Sequence, residues 1–168
     1  MDPASFEHIY REHHPSVWRL LRCLGVPAGM VDDAAQECFL VVHRRLVEVD
    51  TSRSLRPWVF AIARRIAWRV ARTNQYRARL QQEILVDEHR VIPPDETAEH
   101  RELLERVGKL LDEMPLEQRE VFVLTEFEDM TAPQIAALVE VPLATVYSRL
   151  RLARARFQRL ELHTREAS

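Results

Sequence analysis

Residues 131–160 read TAPQIAALVEVPLATVYSRLRLARARFQRL, and the reading of this stretch decides the fold. Thr131 is a natural N-cap for a short helix ending at Val139, with Ile135, Ala136 and Val139 on its inner side. Glu140-Val141-Pro142 follows as a tight turn. Leu143 to Leu160 then forms a longer helix, with Val146, Leu150, Ala153 and Phe157 inward and arginines outward. A short helix, a three- or four-residue turn and a basic helix make a helix-turn-helix. Such a motif places the N-terminal half of its second helix in the major groove. Thr145, Tyr147, Ser148, Arg149 and Arg151 would then reach base edges or phosphates, arginine pairing bidentately with guanine. A plain helical hairpin with a solvated face has the same spacing. The five arginines and no acid between Leu143 and Leu160 favour DNA over that reading.

Outward from this motif, the rest of the chain also reads as helix. It has 168 residues, 46% apolar and 30% charged, which suits one ordinary domain or two small ones. Three glycines are too few for the turns of a sheet-rich fold, so the class is all-α. Two cysteines, Cys23 and Cys38, show no metal-finger spacing and suit a reduced, cytoplasmic setting. The N-terminus lacks a basic stretch followed by an apolar one, so no signal peptide is expected. The longest apolar run, Trp58 to Ala63, is far short of a membrane span, so no membrane insertion is expected.

The net charge of −2 conceals a strong asymmetry. Thr51 to Gln82 holds eight arginines and no acid; Glu83 to Glu120 holds twelve acids against five basic residues. With the C-terminal helix, the order is basic, acidic, basic. Two separated basic faces are a nucleic-acid footprint. Arginines that merely solvate helices would be interspersed with glutamates, and here they are not.

The apolar spacing predicts helices over about Ser5–Leu24, Met30–Val47, and from Pro57 to past Tyr76. Gly25-Val26-Pro27 breaks the first. Asp32 and Asp33 open the second and Arg44 and Arg45 close it, as the helix dipole favours. Trp58, Ile62, Ile66 and Val70 are expected to line the core side of the third, with Arg64, Arg65, Arg69 and Arg72 on its surface. Residues from about Gln82 to His100 lose periodicity and turn acidic around Pro93-Pro94, as a linker does. Patterning resumes with Leu103, Leu104, Val107, Leu110 and Leu111. Met114-Pro115 starts a further helix carrying Val121, Phe122, Leu124 and Phe127.

Several of these stretches resemble the extracytoplasmic-function (ECF) sigma factors of the sigma-70 family. Asp33-Ala34-Ala35-Gln36-Glu37-Cys38-Phe39 resembles the "D-x-x-Q-E-x-F" segment of region 2.2. Arg56-Pro57-Trp58-Val59-Phe60-Ala61-Ile62-Ala63-Arg64 resembles the "W-L-x-x-I-A-R" helix of region 2.3. Met114-Pro115 through Arg119-Glu120-Val121-Phe122 resembles the "L-P-x-x-x-R-x-V-F" entry to region 4. Ile135-Ala136 and Val141-Pro142-Leu143-Ala144-Thr145-Val146-Tyr147-Ser148-Arg149-Leu150 resemble "I-A-…-P-x-G-T-V-K-S-R-L", with Arg154 on the arginine closing that signature. The likeness spans roughly residues 6–79 and 107–160.

The resemblance implies region 2 over 1–82, an acidic linker over 83–106 and region 4 over 107–168. It implies a subunit that binds core RNA polymerase and directs it to promoters, with no catalysis, cofactor or metal of its own. Asp33, Gln36, Glu37 and Phe39 match the positions expected on the β′ coiled coil, an acid and an amide around one apolar anchor. The loop Val49–Leu55 and the following helix are expected to hold the −10 element as single strand. That task needs cations for phosphates and a place for an unstacked base. Arg53, Arg56, Arg64, Arg65, Arg69 and Arg72 supply the cations, whereas the apolar spacing of Trp58, Trp68 and Tyr76 points to core packing. The region 4 helix, through Thr145, Tyr147, Ser148, Arg149, Arg151 and Arg154, would read the −35 element as duplex beside the β flap. The acidic linker would lie in the polymerase's basic channels. An anti-sigma factor is an expected partner, and a stable homo-oligomer is not.

Three departures from the family pattern stand out. Glu140 replaces the glycine of the helix-turn-helix turn, so a negative φ or a slightly different turn is expected there. Arg65 replaces a frequent asparagine, and Leu152 stands where a basic residue is common. Two rival readings remain. One is a conventional regulator binding operator duplex without polymerase. The other is a metal protein built on Glu7, His8, Glu12, His13, His14, Glu37 and His43, which lack the paired Glu-x-x-His motifs of di-iron bundles.

Overall fold

A computed structural model of the chain describes residues 5–80, 107–108 and 110–166, except the side chains of 75–80 and 163–166. The expected linker, 83–106, lies outside the described residues, as does the Tyr76 side chain. All regular structure among the described residues is helical. The chain divides into two compact units, Met1–Arg90 and Val91–Ser168.

The first unit is three mutually packed helices: α1 (Phe6–Cys23), α2 (Val31–Arg45) and α3 (Arg56–Leu80). The Ser5 hydroxyl caps α1 by accepting from the His8 N–H at 3.3 Å, and Glu7 lies in the dipole-favoured first turn. The far end closes on Gly25 at φ 90°. There the Gly25 N–H donates to the Arg22 carbonyl at 3.0 Å and the Val26 N–H to Leu21 at 3.1 Å. That pair of bonds is a Schellman cap, which needs a left-handed residue and so favours glycine.

The core runs through Ile9, Val17, Leu20 and Leu21 of α1, Ala34, Ala35 and Val42 of α2, and Val59, Phe60, Ile62, Ala63, Ile66 and Ala67 of α3, all buried. Of the expected inner side of α3, Ile62 and Ile66 are buried as read from the spacing, but the stripe runs on through the alanines beside them. Trp58 and Val70 are only half-buried, while Ala63, Ala67 and Ala71 are buried at four-residue spacing. Small side chains let α1 and α2 approach the α3 backbone closely and leave its wider side for arginines. Across the α1–α2 contact, the Trp18 indole donates to Asp32 at 2.9 Å. The Cys38 thiol faces the Val59 carbonyl, and burial pushes it up to about 12.

The second unit holds α4 (Leu116–Glu126), α5 (Ala132–Val139) and α6 (Leu143–Glu166), each in contact with the other two. Residues 107–108 and 110–112, before α4, are also helical. Arg119, 8% exposed, donates to the Met114 carbonyl and to Asp112, both at 3.3 Å, and so secures the end of that preceding stretch. This gives the arginine of the "L-P-x-x-x-R" motif a structural role. Phe122 of α4 stacks on Phe157 of α6, ring centroids 5.0 Å apart. Val121, Val123, Leu124, Ile135, Val139, Val146, Leu150 and Ala153 complete the core.

The turn between α5 and α6 corrects one expectation. Glu140 has φ 58°, not a negative value. The Val141 N–H donates to the Ala136 carbonyl at 3.2 Å, the same long-range bond that closes α1 at Gly25. The left-handed turn is thus kept and a glutamate is strained into it. At the other end of α5, the Gln134 side chain accepts from the Thr131 N–H at 2.8 Å, half of a capping box.

Two outcomes follow for stability. An L-residue in the left-handed region costs roughly 1–2 kcal/mol, partly offset by the greater chain entropy glycine carries when unfolded. Glu140→Gly should therefore raise the midpoint of thermal unfolding of the second unit, and an unchanged or lower midpoint would refute the strain. His13 of α1 is buried, and its pKa is lowered from 6.5, first by desolvation and then against the pull of Glu12 by Arg56 and His8. The unfolded chain thus binds that proton more readily, so stability rises with pH and is lost as pH falls through about 6.5. Melting curves at pH 7.5 and 5.5 should differ less for His13→Gln than for the wild type.

Candidate nucleic-acid interfaces

On α6 the outward stripe is Ala144, Tyr147, Ser148, Arg151, Leu152 and Ala155, all exposed and spaced three or four residues apart. Tyr147 is 57% exposed and Leu152 47%. Three expected duplex contacts, Tyr147, Ser148 and Arg151, lie together on that stripe. Thr145 and Arg149 flank it half-buried. The Ser148 hydroxyl donates to the Thr145 carbonyl at 3.0 Å, which sets its rotamer against the helix. Pro142 starts α6 by accepting from the Thr145 and Val146 N–H groups at 2.9 and 3.2 Å.

Arg154 is placed differently. It pairs with Glu126 at the end of α4 at 2.7–2.8 Å. Arg156, one turn away from the stripe, donates to the Glu113 carbonyl at 3.0 Å. Both arginines brace α6 against the residues around α4. No local pattern in the sequence announces these pairs, because their partners lie 28 and 43 residues away.

In the first unit, Arg65, Arg69 and Arg72 are exposed on α3, Arg64 and Arg56 are half-buried, and Arg53 is exposed in the preceding loop. Asp50 shapes that loop by accepting from both the Ser52 N–H at 3.0 Å and the Ser52 hydroxyl at 2.6 Å. Those bonds hold its carboxyl below the usual range. Arg64, Arg65, Trp68, Arg69, Arg72 and Thr73 line one open depression. Trp68, expected in the core, is half-buried on this basic surface instead. The Cζ atoms of Arg64 and Arg72 sit 5.4 and 5.6 Å from its ring centroid. Similarly, Arg56 lies 5.0 Å over Phe60. Apolar spacing could not separate a core tryptophan from one dressed by arginines, because a half-buried position satisfies both.

On α2, Asp33, Gln36 and Leu40 are exposed and Glu37 is half-buried, at the spacing of one helical face. Phe39 is not on that face. It is 2% exposed and packs against Tyr10 of α1, centroids 4.7 Å apart, with Phe6 and His14 alongside. The apolar group that α2 presents outward is Leu40, 51% exposed. Its position, seven residues after Asp33, was the available signal. Glu37 is ion-paired with Arg69, which raises the arginine's pKa, so the α2 face and the basic surface of α3 adjoin.

The residues of the rival metal reading are dispersed. Glu7 pairs with Arg11 and Glu12 with His8; His13 is buried, His43 lies edge-on to Phe6, and Glu37 pairs with Arg69. Among the described residues, no three His, Cys, Asp or Glu side chains converge to hold a metal, and no helix is long and apolar enough to cross a membrane.

Comparison with known proteins matches both units. The family model for Sigma-70 region 2 matches residues 9–77, and that for Sigma-70, region 4 matches residues 104–157. The chain is 28% identical to the RNA polymerase sigma factor NccH of Alcaligenes xylosoxydans xylosoxydans, covering 95% of this chain and 88% of that one. It is 30% identical to the ECF RNA polymerase sigma factor SigC of Mycobacterium tuberculosis, covering 89% and 80%. Its fold matches the sigma factor RpoE of Bartonella quintana, solved in complex with the anti-sigma factor NepR, with a TM-score of 0.77 over 92% of this chain and 95% of that one, at 19% identity.

The contrast between Phe39 and Leu40 is directly measurable. Phe39→Ala should cost about 3–5 kcal/mol of stability, as buried aromatic truncations do. Leu40→Ala should stay within about 0.5 kcal/mol of the wild type. Equal denaturant midpoints for the two variants would contradict their placement.

Proposed function

The chain belongs to the ECF sigma factors of the sigma-70 family, which direct transcription by RNA polymerase, and on that premise we propose how its surfaces divide the work. The α6 stripe of Tyr147, Ser148 and Arg151, with Thr145 and Arg149 beside it, reads the −35 element in the major groove. The α3 arginines, with Arg53 and Arg56, hold the −10 element as melted single strand. The α2 face docks on core polymerase, with Asp33, Gln36 and Glu37 meeting the β′ coiled coil around Leu40. Phe39 contributes by seating α2 from below. The observation that carries this reading is the pair of arginine-rich helices, one in each compact unit, α3 with no acid and α6 with none before Glu161, each with an exposed outer face.

No bond-making is asked of this chain, since the polymerase supplies it. Melting follows from preference for the unpaired strand, which shifts the population of open DNA. An anti-sigma partner fits the same scheme. A protein covering the α2 face and Leu40 would keep the factor off the polymerase, and the fold match to RpoE held by NepR supports such a partner.

The test is transcription reconstituted with bacterial core polymerase on fragmented genomic DNA, with mapping of transcript starts. Starts that depend on the chain and share two spaced upstream elements are the expected result. Arg151→Ala should relax or weaken use of the upstream element by roughly 5- to 150-fold if it contacts a base, or lower the salt slope of promoter binding by about one if it contacts phosphate. Leu40→Ala should weaken binding to core polymerase without lowering the melting temperature. Absence of starts, alongside intact binding to duplex without polymerase, would defeat the assignment of roles.

A further inference from the structure

The outward stripe of α6 carries one large side chain with no polar atom, Leu152, which is 47% exposed. It stands one helical turn after Ser148 and two after Thr145, so the three form a row along one edge of the stripe. The Ser148 hydroxyl donates to the Thr145 carbonyl at 3.0 Å, so its proton is already engaged within the helix. The row therefore ends on hydrocarbon, and its serine has no proton to spare. The large polar groups of the stripe, Tyr147 and Arg151, lie round the helix from it. Leu143, also exposed, is two and a half turns earlier and so faces the opposite way.

We propose that Leu152 is a specificity-determining residue that packs on the 5-methyl group of a thymine in the upstream promoter element and rejects the other bases there. The proposal rests on the reading of α6 as the duplex-reading helix and adds to it a residue that reads without a hydrogen bond. The occupant is duplex DNA, because Leu143 to Leu160 carries five arginines and no acid around this side chain. Of the groups that base pairs expose in the major groove, only the thymine methyl is hydrocarbon. Guanine offers two acceptors there, cytosine an amine, and adenine one of each. Against leucine each of those groups loses water and gains no partner, which disfavours binding by roughly five- to 150-fold. The methyl instead sheds water together with the leucine, which favours binding by roughly four-fold. Selection thus combines attraction to one base with a penalty on the others.

The experiment uses holoenzyme assembled from the full chain and core polymerase, on a promoter found by start mapping. Each thymine of the upstream element, on either strand, is replaced in turn by uracil, which lacks only the methyl. The readout is the holoenzyme concentration that half-saturates the promoter. At one position uracil should weaken wild-type binding by roughly four-fold. Leu152→Ala should bind thymine and uracil there equally, whereas Leu152→Met, which keeps an apolar tip, should retain most of the difference. With cytosine at that position, 5-methylcytosine should recover part of the loss, because it puts the methyl back. The proposal is overturned if uracil matches thymine at every position, if the difference survives in Leu152→Ala, or if 5-methylcytosine gains nothing over cytosine. It is also overturned if the Leu152→Ala loss is explained by weaker binding to core polymerase, which would make Leu152 a protein contact. Arg151→Ala and Ser148→Ala on the same promoter separate the two levels. If they weaken binding and thymine and uracil are equivalent throughout, only the methyl contact fails. If none of the three alanine variants affects use of the upstream element, the assignment of α6 to the duplex fails with it.

Discussion

An arginine-covered helix can be held in a small domain only by a narrow apolar stripe, and both units are arranged around that constraint. On α3 the stripe is built from alanines and β-branched or aromatic residues, Val59, Phe60, Ile62, Ala63, Ile66, Ala67 and Ala71. On α6 it is Val146, Leu150 and Ala153. The small residues matter most. They bring neighbouring backbones close, so that a thin strip of contact suffices and most of the circumference stays outward for cations. A stripe of large side chains would hold the helix farther off and bury the arginines' flanks.

The same constraint decides which arginines are surface and which are structure. Charges at the edge of the stripe come within reach of neighbouring helices and are taken up there. Arg154 pairs with Glu126, Arg156 with the Glu113 carbonyl, and the buried Arg119 with Asp112 and the Met114 carbonyl. Arginines one position further round, Arg151 and Arg65, stay exposed. Exposed ion pairs are individually worth little. The effect of these contacts is on orientation, since each ties one side chain back to a neighbouring segment.

The helical class, the helix-turn-helix and the two basic faces were legible in the sequence, because Ile135, Val139, Val146 and Leu150 keep helical period while acids vanish from the arginine runs. Matching a family motif singled out α2 but could not say which of its positions point outward; Phe39 fell inside and Leu40 outside. The left-handed Glu140 was illegible because nothing in a glutamate's chemistry marks that conformation. Trp68 was misassigned for a related reason. Its placement depends on two guanidiniums one turn away on either side, whereas periodicity registers only that it is apolar.

The buried thiol of Cys38 bears on how the chain meets oxidants. Oxidation, metal capture and disulfide exchange all proceed through thiolate. With its pKa pushed up to about 12 inside the α2–α3 contact, Cys38 presents almost none at neutral pH. The folded first unit is thereby chemically mute at this position. A sulfur that lies next to the segment carrying Asp33, Gln36 and Glu37 does not report the redox state of its surroundings to it.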